Sequence, residues 1–150
     1  MNNAESRFKE WLDSKQYSYL FIDQTKETFA EFFRGVSKRP DFLIGINRVG
    51  LIAVDVKEKI PHPEKGDFIL DEKDEVEKYL EFEKLTRLPV WFVFGSSQDS
   101  YDVWRWIPLS GVLECRLQES SKSGAPFRAI TPSKCIAIQR GRDGISRIIE

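Results

Sequence analysis

The sequence predicts an α/β protein, a mixed central sheet flanked by helices on both sides. Three observations carry this expectation. Apolar residues recur at helical spacing near the N-terminus and again after residue 71; two β-rich runs flank a turn signal at residues 47–48; and Val90–Phe94 is a continuous apolar run. Strands interleaved with helices place the helices on the faces of a shared sheet.

Residues 3–15 read as a helix because Phe8, Trp11 and Leu12 follow i, i+3, i+4 spacing. Glu5 lies three residues before Phe8 and seven before Leu12, on the same stripe. An acid at the edge of a core-facing stripe is unusual. Residues 17–22, rich in aromatic and β-branched side chains, suit a strand. Residues 25–33 suggest a short helix with Phe29, Phe32 and Phe33 on one side.

Residues 40–59 contain two β-rich runs around Asn47-Arg48, which predicts an antiparallel hairpin. Residues 60–66, with two prolines, read as a loop. Val76, Tyr79, Leu80 and Glu83 recur at helical intervals within 71–87, and Pro89 stops that helix. Residues 90–94 suit a strand buried on both faces. Residues 101–109 suit another strand, 118–126 a loop, and 135–139 with 145–149 a final hairpin.

The 150 residues suit one domain, spanning 1–150. Hydrophobic residues at 41% and charged residues at 31% argue for a globular chain rather than a disordered one. No apolar run approaches the roughly 20 residues a membrane span needs, and residues 1–10 are too polar for a secretory signal. Cys115 and Cys135 lack metal-ligand spacing, so they read as two reduced cysteines of a cytoplasmic protein. The net charge of −1 argues against a nonspecific nucleic-acid coat protein. Its distribution is uneven: residues 71–88 carry seven acids against four bases, and residues 115–150 seven bases against three acids.

Side-chain parity makes the hairpin informative. Phe42, Ile44, Ile46, Ile52, Val54 and Val56 are even-numbered, bulky and apolar; the odd set comprises small or apolar residues plus Asp41, Asp55 and Lys57. Because strand side chains alternate, each set shares a face along its own strand. Two acids and a lysine on one side of an apolar hairpin are costly to bury without a partner. A divalent cation held by both carboxylates removes that cost.

Sharing a cation requires that Asp41 and Asp55 point the same way. A two-residue turn at Asn47-Arg48 would set Asp41 beside Val54, on the wrong face. The expected connection is therefore a loop of odd length, Asn47–Val49 with Ile46 opposite Gly50, or else a bulge.

Pro40-Asp41, thirteen intervening residues and Asp55-Val56-Lys57 resemble the signature of the PD-(D/E)xK nuclease superfamily, which includes restriction enzymes and Holliday-junction resolvases. The resemblance covers residues 5–94 and implies a restriction-endonuclease-like α-β-β-β-α-β core. It implies a Mg²⁺- or Mn²⁺-dependent endonuclease acting on DNA, with Asp41, Asp55 and the Val56 carbonyl as metal ligands. The metal would polarise the phosphate and activate a water, and Lys57 would orient that water or neutralise the transition state. Glu5 matches an N-terminal helix acid that contacts a metal or its water in resolvase-like members; an ordinary first-turn acid explains it equally well.

The helix before the third core strand often adds a polar residue in this superfamily, which makes Tyr79, Glu83 and Lys84 candidates. Arg34, Lys38, Arg39, Lys59 and Lys84 are candidate phosphate contacts, although solvated surface charge explains such residues too. Trp104 and Trp106 share a strand face and suit a core or the interface of a homodimer. Two other readings compete with cleavage: a nuclease-fold protein that binds nucleic acid or a protein partner without cutting, and a coincidental motif with Asp41 and Lys57 in surface ion pairs.

Overall fold

The computed structural model describes residues 2–25, 30, 37–62, 64 and 66–150. The helix expected over 25–33 and the candidate Arg34 lie wholly or largely outside the described residues.

The first helix, α1, spans Asn3–Ser14. Asn2 caps it by accepting the Glu5 N–H at 2.8 Å, while Glu5 Oε2 accepts the Asn2 N–H at 3.1 Å. Such a reciprocal box satisfies two of the helix's orphan donors and contributes about 1 kcal/mol. Ala4, Phe8, Trp11 and Leu12 are buried along one stripe.

Strands β1 (Ser18–Phe21), β2 (Phe42–Ile46), β3 (Gly50–Glu58), β5 (Val90–Gly95), β6 (Val103–Pro108) and β9 (Ile136–Gln139) build a six-stranded sheet in the order β1-β2-β3-β5-β6-β9. Only the β3–β5 pair is parallel. The hairpin has the expected odd loop: Ile46 pairs with Gly50, Ile44 with Ile52 and Phe42 with Val54. Arg48 and Gly50 take positive φ, 67° and 115°, and glycine tolerates that conformation at no steric cost.

The even face of the sheet packs on α1. Phe42, Ile44, Ile52, Val54 and Val56 join Phe8, Trp11 and Leu12 in one cluster, together with the fully buried Trp104 and Trp106. Phe8 meets Phe42 and Trp104 edge-on, with ring centroids 5.4 and 5.3 Å apart. Both tryptophans are therefore core residues, each larger than the aliphatic side chains whose full burial contributes about 1.5–3 kcal/mol.

The odd face is covered by helix α2 (Lys78–Thr86) and by a second sheet, β4-β8-β7, built from Phe68–Asp71, Pro126–Ile130 and Arg116–Glu119. Val76, Tyr79 and Phe82 join Phe68, Leu70, Phe92, Phe94 and Ile130 there.

Several expected boundaries are corrected. The helix expected from residue 71 opens as a π-helical segment, Glu72–Glu77, before α2. The loop expected over 118–126 is shorter, because Gln118, Glu119 and Pro126 belong to paired strands. The strand expected over 101–109 gives way at Leu109 to a short helix, α3 (Leu109–Leu113). Residues 145–149 form a 3₁₀ turn rather than a strand. Ile145 and Ile148, three apart, are buried while Ile149 is exposed, which is the period of a 3₁₀ helix and not of a strand.

Candidate active site

Asp41 and Asp55 meet where β2 and β3 begin to diverge. Asp41 sits in a bend one residue before β2, whose ladder with β3 ends at Phe42 opposite Val54. Its N–H donates to the Val54 carbonyl at 2.9 Å, while its own carbonyl accepts from the Ile22 N–H on the β1 side. Both carboxylates line one cavity, close enough that the Asp55 charge acts on Asp41. Asp41 Oδ2 accepts the Val56 N–H at 2.8 Å. A strand residue directs its N–H and C=O to the same neighbour, so the Val56 carbonyl lies on the Asp41 edge of β3.

Lys57 reaches back along this face. Its ammonium lies 3.0 Å from Asp55 Oδ1 and 3.0 Å from Glu75 Oε1. Lys38 donates to the same Glu75 oxygen, and Glu75 Oε2 is buried with no hydrogen-bond partner among the described residues. Tyr79, fully buried on α2, donates its hydroxyl to Asp55 Oδ2 and lies 3.0 Å from the Arg39 carbonyl.

The electrostatics follow from burial. Asp41 and Asp55 are 9% and 4% exposed. Desolvation, reinforced by the Asp55 charge, pushes the Asp41 carboxyl up to about 8, against the pull of the Val56 N–H. Desolvation alone would lower the Lys57 ammonium, but the charges of Asp55 and Glu75 outweigh it and raise the group. The Tyr79 phenol is raised well above its ordinary value, by burial first and the Asp55 charge second, so it stays a neutral donor. Lys59 is lowered by desolvation and by neighbouring Lys57.

The donor set fits a hard divalent cation. Three acids, Asp41, Asp55 and Glu75, face two lysines, Lys57 and Lys38. The excess negative charge is the one that Asp41 relieves by holding a proton. No cluster of three or more His, Cys, Asp or Glu side chains placed to hold one ion occurs among the described residues. A cation here would rest on two carboxylates, a carbonyl and water, a coordination natural to Mg²⁺, which keeps several waters and takes one or two carboxylates.

A cavity of about 400 Å³ opens over this cluster, with Glu5, Lys38, Arg39, Val56 and Lys59 at its walls beside Asp41, Asp55 and Lys57. A larger depression, about 970 Å³, lies beyond the hairpin loop and carries no carboxylate among the described residues.

The structure gathers some of the remaining candidates and not others. Glu5 borders the site cavity, yet both of its oxygens accept from Asn2. Arg39 also borders it, but its guanidinium binds the carbonyls of Asp23, Gln24 and Thr25 at 2.6–2.8 Å. Among the helix residues, Tyr79 reaches the site. Glu83 instead accepts the Val90 N–H at 2.7 Å, and Lys84, 71% exposed, pairs with Glu81 away from the cavity. Glu75 was missed in the sequence because it sits within an acid-rich run; its spacing four residues before Tyr79, on one helical stripe, was the available signal.

No protein-family model matches the sequence, and no curated protein matches it. Among solved structures, the chain superposes on Hjc, a Holliday junction resolvase from the archaeal hyperthermophile Archaeoglobus fulgidus. The TM-score is 0.57 at 16% identity, covering 97% of this chain and 92% of the resolvase. The chain has the restriction-endonuclease-like fold of that resolvase. Within that fold the carboxylate pair sits on the β2–β3 hairpin, between α1 on one face and α2 on the other.

Proposed function

We propose that this protein is a Mg²⁺- or Mn²⁺-dependent endonuclease that hydrolyses phosphodiester bonds in DNA. The observation that carries the reading is the neighbouring pair Asp41 and Asp55 with Lys57 on Asp55, all three at the mouth of one cavity. The bound cation would stabilise negative charge on the phosphate and supply a nucleophile at neutral pH.

The chain's own groups divide the remaining work. Asp41, Asp55 and the Val56 carbonyl hold the cation. Tyr79 fixes the Asp55 carboxylate by hydrogen bonding one of its oxygens. Lys57 keeps its proton and presents a positive charge toward the attacking water or the phosphate. Glu75 is a positioning residue, holding Lys57 and Lys38 on one oxygen. Glu5 caps α1 at the wall of the cavity, where it would add negative charge beside the cation. Lys38 and Lys59 contact the DNA backbone.

The test is incubation of supercoiled plasmid, linear duplex, single-stranded and four-way-junction DNA with Mg²⁺, Mn²⁺ or EDTA. Cleavage of at least one substrate with metal and none in EDTA is expected. No cleavage of any substrate with either metal would move the non-cutting, nucleic-acid-binding reading ahead.

Glu75→Gln separates positioning from packing. Losing one of the two carboxylates that raise Lys57 lowers that ammonium's pKa. Cleavage should fall about 10- to 100-fold, and the alkaline limb of its pH profile should move to lower pH. A reduced rate with an unmoved profile would mean that Glu75 serves packing alone.

A further inference from the structure

Beside the carboxylate site lies a second cavity, of about 410 Å³, between the segment after β3 and the strands β5 and β6. Lys59 lines both cavities. Its N–H donates to the Gly95 carbonyl at 3.1 Å, which extends the β3–β5 ladder and fixes where it leaves the sheet. Among the described residues, the other cation of the second cavity is Arg105 on β6.

The register puts Arg105 on the catalytic face. Lys57 pairs with Phe94, and Phe94 pairs with Arg105. Directly paired residues point the same way, so Lys57, Phe94 and Arg105 form one row across three strands. Two strand spacings separate Lys57 from Arg105, about 10 Å. Lys59, two residues beyond Lys57, keeps its parity.

Neither Lys59 nor Arg105 has a side-chain hydrogen bond or ion pair among the described residues, although both are half-buried. That sets them apart from the other half-buried cations near the core: Lys57 and Lys38 are held by Glu75, and Arg128 by Glu72 at 2.7 Å. A half-buried guanidinium left without an acceptor has lost hydration without gaining a partner, a cost that an arriving anion removes. The one acid of this cavity among the described residues, Asp99, is exposed at its rim, while the buried Phe68 and Phe94 form an apolar wall.

We propose that Lys59 and Arg105 form a second phosphate-binding subsite, which holds a backbone phosphate of the nucleic-acid strand whose scissile phosphate lies at Asp41 and Asp55. The strand then crosses the sheet from β3 toward β6, and Ile60 and Phe68 border the sugar of the held nucleotide. This rests on the nuclease reading for its ligand, and its test needs no cleavage.

Binding of a fluorescein-labelled single strand and of its duplex is measured by anisotropy in EDTA across a salt series. Each phosphate contact adds about 0.7 to the log–log salt slope for single strands and about 0.9 for duplex. Arg105→Gln should lower the slope by that amount and weaken binding at fixed salt. Arg105→Lys should retain the slope, and Lys84→Gln, an equal loss of charge on α2, should leave it unchanged.

An Arg105→Gln slope equal to wild type, or a Lys84→Gln loss as large, overturns the subsite. So does an Arg105→Lys loss matching that of Arg105→Gln, because the effect then reports packing. Inorganic phosphate is added as a competitor at constant ionic strength. If it protects wild type but not Arg105→Gln against thermal unfolding while the oligonucleotide slopes agree, the site takes free phosphate and the strand proposal falls. Wild type that binds through Arg105 without cutting any DNA leaves the subsite standing and removes the nuclease reading. Cleavage with an unchanged Arg105→Gln slope does the reverse.

Discussion

Asp55→Asn should abolish metal-dependent cleavage, lowering the rate by about 10³-fold or more, while the protein still folds. A drop of that size corresponds to about 4 kcal/mol of lost transition-state stabilisation, within the several kcal/mol a bound cation supplies. The substitution is close to isosteric. The oxygen of the introduced amide can still accept from Tyr79, but the side chain offers no charge to a cation or to Lys57, whose ammonium lies 3.0 Å from the native carboxylate. Lys57 keeps Glu75 as a partner, so the buried ammonium is not stranded, and the fold should survive.

Thermal unfolding gives a second readout that does not depend on finding the right substrate. A ligand that binds only the folded state raises stability with its concentration, by about 2.7 kcal/mol at one hundred times its dissociation constant. Mn²⁺ should therefore raise the wild-type melting temperature and leave that of Asp55→Asn unmoved. Equal shifts in the two proteins would place the cation elsewhere and remove Asp55 from the ligand set.

The hairpin was legible because it is governed by one rule. Parity sorted Phe42 to Val56 into an apolar face and an ionisable one, and the demand that Asp41 and Asp55 share a face required an odd loop. The structure has that loop, with Ile46 opposite Gly50. Helix α1 was equally readable, since Phe8, Trp11 and Leu12 lie on one stripe and all three are buried.

The missed features have a common cause: their signals depend on distant partners. β4, Phe68–Asp71, is four residues long and takes its register from β8, nearly sixty residues away. Glu75 is one of seven acids between residues 71 and 88, and its place at the site rests on its contacts with Lys57 and Lys38, which no local pattern records. Arg105 sits between two core tryptophans, Trp104 and Trp106, which are buried on the other face of its strand. Its neighbourhood to Lys59 exists only through the β3–β5–β6 pairing.

Asp41→Asn should make the metal-free protein more stable at pH 8, and the gain should shrink as the pH falls toward 5. In the folded protein the Asp41 carboxyl is raised from 3.8 to about 8, by desolvation first and by the Asp55 charge second. Between those values the native state holds a proton that the unfolded chain has released. Unfolding stability then falls as pH rises, because its slope follows the protons bound by the unfolded state minus those bound by the native one. The loss begins near pH 4 and is complete near pH 8.

At about 1.4 kcal/mol per pH unit for one proton, this amounts to a few kcal/mol between pH 5 and 8. The amide introduced at this position can still accept the Val56 N–H through its oxygen while its NH₂ faces Asp55, so the variant lacks this dependence and keeps the packing. A bound divalent cation replaces the proton, so Mg²⁺ or Mn²⁺ should flatten the wild-type profile and bind more tightly as pH rises. The measurement is the melting temperature of both proteins from pH 5 to 8, with and without metal. Parallel wild-type and variant profiles in EDTA would show that the proton is not held at Asp41, and the charge argument for a cation at this pair would fall with it.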